Sequence, residues 1–139
     1  MRIFFVIALV FPLISCHLNT KSEIDEYLQP YFNGLNARNY KPEGLYYSQS
    51  FERKLGSEEW KKSIENIWQQ FGSIEKMKLL PMSVIKSIAG RSSGTKYIVS
   101  YIVERENGFT RETIEVFESN RSKGILEITG HKIMTTVSF

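Results

Sequence analysis

The sequence predicts an α+β fold in which amino-terminal helices pack on a curved, cone-like sheet of four antiparallel strands. Three observations predict it. Apolar residues recur at helical spacing up to Gly72, β-branched and aromatic residues dominate after it, and Asn107-Gly108 between two such runs is a two-residue hairpin signal. At 139 residues, 42% hydrophobic and 24% charged, the chain has the proportions of one ordinary globular domain.

The amino-terminal segment comes first. Arg2 gives a short positive start, and residues 3–14 are apolar apart from Pro12. That is the build of a secretory signal, whose apolar core runs to roughly 7 to 15 residues. It falls short of the ~20 apolar residues that a membrane-spanning helix needs. Leu13-Ile14-Ser15-Cys16 follows at once and resembles the bacterial lipobox, and Cys16 is the only cysteine in the chain. The resemblance implies cleavage before Cys16, a diacylglyceryl group on its thiol and frequent acylation of the new amino group. A single myristoyl chain anchors only marginally, at ~0.8 kcal/mol per buried methylene, whereas two or three chains hold. Residues 1–15 are therefore read as a lipoprotein signal peptide, 16–21 as a polar tether and 22–139 as a single α+β domain.

From Ser22, the residues Ile24, Tyr27, Leu28, Tyr31, Phe32 and Leu35 mark one helix face, with Ser22 and Asp25 as a capped start. Pro30 predicts a bend or a second start, because an interior proline removes a backbone bond. Pro42 is placed to open a short helix. Ser57 caps a clearer helix whose face is Trp60, Ile64, Ile67, Trp68 and Phe71, ended by Gly72.

Strands are expected over residues 74–88, 95–106, 109–118 and 125–137, with a loop over 89–94. A turn at Asn107-Gly108 would set Glu104 opposite Arg111 as an outer pair, Tyr101 opposite Ile114 and Val99 opposite Val116. The face holding Tyr97, Val99, Tyr101, Val103, Ile114 and Val116 is the more apolar and should cover the helices.

Trp60 with Ile64, then Phe71-Gly72-Ser73-Ile74, resembles the helix-to-strand junction of small secreted domains in the nuclear transport factor 2-like superfamily, also called cystatin-like or SnoaL-like. Leu126-Glu127-Ile128-Thr129-Gly130-His131 resembles their closing strand, with Leu126 where tryptophan is usual and His131 where tyrosine is usual. The resemblance implies a cone with a cavity at its open end. That superfamily holds enzymes, binding domains and scaffolds, so the fold leaves function open.

The chemistry visible in the residues is sparse. The formal charge of +3 falls by one when Arg2 is removed, and the basic residues are scattered, which argues against a nucleic-acid partner. A lone cysteine excludes an internal disulfide framework and multi-cysteine metal sites. His17 lies on the tether. His131 reads either as a pocket acid or base or, more plainly, as a partly exposed strand histidine, since the sequence identifies no carboxylate to orient it. Asp25, the only aspartate, reads as a helix cap, and the glutamates read as solvated surface. The stretch from Gly90 to Gly94 lacks the lysine of a phosphate loop. Tyr46, Tyr47, Tyr97 and Tyr101 are pocket candidates, with core packing the simpler role. No catalytic residue, cofactor or metal is assigned.

These observations lead to a membrane-anchored envelope lipoprotein, held by lipid on Cys16, whose domain binds a partner protein or a small apolar ligand without catalysis. The alternatives are a small-pocket hydrolase or isomerase and an inhibitor or immunity lipoprotein. In a host with two membranes, His17 after the cysteine favours the periplasmic face of the outer membrane, because it is not the aspartate associated with inner-membrane retention.

Overall fold

The computed structural model describes residues 19–87 and 93–135, and the expected signal peptide over 1–15, Cys16 and His17 lie outside them. Helix α1 (Lys21–Asn36) buries Ile24, Leu28, Tyr31, Phe32 and Leu35, the face that the helical spacing marks. Its cap is Thr20 rather than Ser22: the Thr20 hydroxyl accepts from the Glu23 amide while the Glu23 carboxylate accepts from the Thr20 amide. The helix continues through Pro30, which is exposed, so the carbonyl it leaves unpaired can turn to water.

No helix starts at Pro42. Tyr46–Tyr47 forms strand β1, and helix α2 (Gln49–Leu55) follows, capped by Ser48. Helix α3 (Glu58–Phe71) starts at the Ser57 cap and ends at Gly72, whose φ of 76° favours glycine. Its two indoles donate to backbone carbonyls near the end of α1, Trp60 to Tyr40 at 3.1 Å and Trp68 to Leu35 at 3.4 Å. The helices therefore carry one another as well as the sheet.

The remaining strands are β2 (Ile74–Leu79), β3 (Ser83–Ser87), β4 (Gly94–Arg105), β5 (Gly108–Ser119) and β6 (Leu126–Met134). They form one mixed six-stranded sheet in the order β1-β6-β5-β4-β2, with β3 also paired to β4. The α+β class holds. The expectation of four antiparallel strands preceded by helices is corrected in two places. The first expected strand is divided at Leu80-Pro81-Met82, because Pro81 has no amide to give the ladder. Its halves β2 and β3 run along the same edge of β4. Secondly, β1 lies between α1 and α2 and pairs in parallel with β6, Tyr46 opposite Glu127 and Tyr47 opposite Ile128. Two residues are too few to show a strand period.

The β4–β5 hairpin turns at Glu106-Asn107, with Arg105 opposite Gly108. Relative to the expected register the pairing slips by two, so Glu104 faces Phe109, Arg111 faces Ile102, and the expected Glu104–Arg111 pair does not form. Tertiary bonds select this register. The Asn107 amide donates to Phe71 O at 2.9 Å and the Glu106 amide to Ser73 O at 3.2 Å, tying the turn to the α3–β2 junction. Because the slip is even, each side chain keeps its face. Tyr97, Val99, Tyr101, Val103, Ile114 and Val116 are buried under the helices as expected.

Candidate functional site

The alternation that buries Val103 and Ile114 also turns Arg105, Thr110 and Glu112 inward, and β6 brings His131 beside them. Burying ionised groups is costly unless they are paired and hydrogen-bonded, and here they are. Arg105 Nη2 donates to Glu112 Oε1 at 2.8 Å, Nε to Thr110 Oγ1 at 3.3 Å and Nη1 to Gly72 O at 3.2 Å. The Thr110 hydroxyl donates to the same Glu112 oxygen at 2.8 Å. His131 Nε2 lies 2.9 Å from Glu112 Oε2, and its Nδ1 lies 3.1 Å from the Tyr31 hydroxyl on α1.

Burial pushes the Glu112 carboxyl up, but His131 and Arg105 outweigh it and hold the group at about 2. Burial, reinforced by Tyr47 and Glu112, pushes Tyr31 well above the usual phenol value, so Tyr31 remains protonated. In a neutral His131, the arrangement that satisfies both bonds has Nε2–H donating to Glu112 and Tyr31 O–H donating to Nδ1.

A carboxylate orienting an imidazole is the arrangement that general-base catalysis uses. Here both ring nitrogens have protein partners, and the His131 and Glu112 side chains are 0% exposed. Trp60 and Phe32 close over the ring, with centroids 5.5 and 6.1 Å away. What this network does chemically is lock α1 to β5 and β6.

One open feature is a cleft of about 280 Å³ between α1 and β2, and a hollow of about 410 Å³ between α2 and β6 reaches His131 from the other side. Asp25, Gln29 and Asn33, one helical turn apart, line one wall of the cleft, while Ile74, Glu75, Lys76, Met77 and Leu79 line the other and Tyr101 and Phe32 complete it. The Tyr101 hydroxyl donates to Asp25 Oδ1 at 2.8 Å, and Gln29 Nε2 donates to the same oxygen at 3.2 Å. Burial and then Asp25 push Tyr101 far up, so it remains a donor. At the distal end Asn36 bonds both backbone groups of Ile74, accepting from its amide at 2.8 Å and donating to its carbonyl at 3.3 Å. The Asn33 amide is exposed and has no side-chain hydrogen bond among the described residues.

The residues singled out in the sequence separate. Asp25 is not a cap but part of the cleft, and of the four tyrosines Tyr101 alone joins it. Tyr46 and Tyr47 line a different hollow near Pro42, and Tyr97 is buried with its hydroxyl accepting from Asn19. His131 is buried rather than partly exposed, and Glu112 is core rather than surface. Sequence reasoning missed Arg105, Thr110 and Glu112, although they keep the two-residue phase of Val103 and Ile114. Among the described residues no cluster of three or more His, Cys, Asp or Glu is placed to hold a metal ion. No helix among them is long and apolar enough to cross a membrane.

The fold and its clefts define a small α+β protein with a sealed polar network and an open, two-sided cleft. No known family model, curated protein or solved structure matches the chain.

Proposed function

We propose that the mature protein is an envelope lipoprotein anchored through Cys16, with a non-enzymatic domain that binds a small amphipathic ligand in the α1–β2 cleft. The observation that carries the binding role is the cleft itself, with a carboxylate and amides on the α1 wall and Ile74, Met77 and Leu79 beside Glu75 and Lys76 on the β2 wall. Its lining is mostly polar, and converging polar groups of this kind fix a ligand's orientation in small-molecule sites. A donor on the ligand suits Asp25, and its apolar part suits Met77 and Leu79. The lipobox resemblance at residues 13–16 supports the anchor. The likeness to the nuclear transport factor 2-like superfamily rests on the residues at 60–74 and 126–131.

The test uses protein recovered from bacterial membranes. Intact mass of the native chain should show a start at Cys16 with diacylglyceryl mass, and Cys16→Ser should lack it. Extraction of small molecules should yield a species from native protein that Asp25→Leu retains poorly. Empty native protein, with thermal stability unmoved by a pool of envelope extracts, would refute the ligand role.

One observation favours a second reading. The Glu112–His131–Tyr31 arrangement is that of an oriented base, so opening of the helices over it would support a hydrolase or isomerase. Hydrolysis of model esters that persists in purified native protein and vanishes in Glu112→Gln, while that variant stays folded, would establish this reading.

A further inference from the structure

We infer that the loop over residues 120–125 is a membrane-contact surface, held against anionic phospholipid headgroups beside the anchor, so that the β4–β5 turn points away from the bilayer. The inference rests on lipid at Cys16, as proposed above. Only His17 and Leu18 separate Cys16 from Asn19. At ~3.3 to 3.6 Å per residue, that stretch can span no more than about 10 Å.

Asn19 is itself fixed. Its amide and side chain donate to the Tyr97 hydroxyl, both at 3.3 Å, and Nδ2 donates to Glu118 Oε2 at 2.9 Å. The other oxygen of Glu118 accepts from the Gly124 amide at 2.7 Å. One carboxylate therefore joins the residue nearest the anchor to the loop that connects β5 and β6. Asn120 further ties that loop to Ser93 at the start of β4, at 3.1 Å.

The loop offers Arg121 and Lys123, both exposed, and Ile125, which is 41% exposed. Cations attracted to a headgroup surface, beside an apolar side chain that can enter the acyl boundary, suit an anionic leaflet. Lys21 and Lys86 are exposed on the adjoining elements. Of the acidic groups nearby, Glu118 holds Asn19 and Gly124, Glu115 pairs with Lys96 at 3.0 Å, Glu23 caps α1 and Glu127 is half-buried, while Glu26 on α1 is exposed.

This orientation has a consequence for the cleft. Along α1, Asn19 meets Tyr97, Asp25 meets Tyr101 and Asn36 meets Ile74, which faces Arg105. The helix therefore runs outward from the membrane beside β4, and the cleft opens on the outer half of the domain.

The experiment uses lipidated full-length protein extracted from membranes and reconstituted into phosphatidylglycerol-containing vesicles. Cys16 is the only native cysteine and its thiol is consumed by the lipid, so Ser122→Cys and Asn107→Cys each accept one fluorophore. Across the 12 residues of β4 at ~3.3 Å each, the two labels stand roughly 40 Å apart. A headgroup-attached nitroxide quencher should quench the label at 122 several-fold more than the label at 107. Adding Arg121→Glu and Lys123→Glu should lower quenching at 122, and so should replacing phosphatidylglycerol with phosphatidylcholine.

Equal quenching at the two positions overturns the orientation, and so does stronger quenching at 107. Weak quenching at both, in protein whose intact mass carries the lipid, directs the loop to a protein partner instead and overturns the inference alone. Loss of the diacylglyceryl mass overturns the anchor and the orientation together.

Discussion

Glu112 shows how one side chain can be both costly and required. Buried without partners it would be neutral, yet Arg105, Thr110 and His131 surround it with donors and keep it ionised. Breaking a buried pair leaves an uncompensated charge, so Glu112→Ala should destabilise the fold by about 3 to 5 kcal/mol. Replacing Arg105 by Met together with Glu112 by Leu should cost less than the single change. Urea unfolding of the three proteins measures both. The pH dependence has a definite sign. The folded carboxyl sits at about 2, below an unfolded glutamate near 4.3. Its contribution is complete above about pH 4.3 and is lost as pH falls toward 2. Urea midpoints at pH 7, 4 and 3 should fall steeply in the native protein and less steeply in Glu112→Gln.

Among the elements, the join between α1 and β2 depends on Asn36, whose amide takes the place of a strand partner for both backbone groups of Ile74. Asn36→Ala leaves an amide and a carbonyl without that partner. A loss of about 1 to 3 kcal/mol is expected, read from the thermal midpoint, with the helical circular dichroism retained. The start of α1 is a separate case, since Thr20 and Glu23 close a capping box there. Thr20→Ala should cost about 1 kcal/mol and add to the Asn36 effect, because the two sites are at opposite ends of the helix. A chemical unfolding series of both single variants and the double variant checks the sum. The hairpin carries the same lesson about local signals: the Asn-Gly pair is present, but bonds from Phe71 and Ser73 move the turn back to Glu106-Asn107.

Across the whole molecule, stability should be graded from the middle of the sheet outward. β4 and β5 are paired on both sides and carry most of the apolar stripe, whereas every residue of β3 is exposed. Hydrogen exchange followed by mass should therefore find the slowest amides in β4 and β5 and much faster exchange in β3. Similar protection in β3 would mean that its exposed edge, with Val84 and Ile85 at 42% and 52%, is covered in solution.

Much of this arrangement was legible in the residues themselves. Spacing alone located the buried faces of α1 and α3, the Ser57 cap, the stop at Gly72 and the inward stripe of β4 and β5, because periods of 3.6 and 2 are imposed by backbone geometry. Partnership was not legible, since it depends on which distant residues meet. Two tyrosines became a strand only by finding β6, and Asp25 left its capping role by meeting Tyr101 across the cleft. His131 showed no orienting carboxylate in sequence because Glu112 comes from another strand. Its burial and its ionised partner were decided by three strands and a helix closing together, where water is excluded and every charge must find its counterpart within the protein.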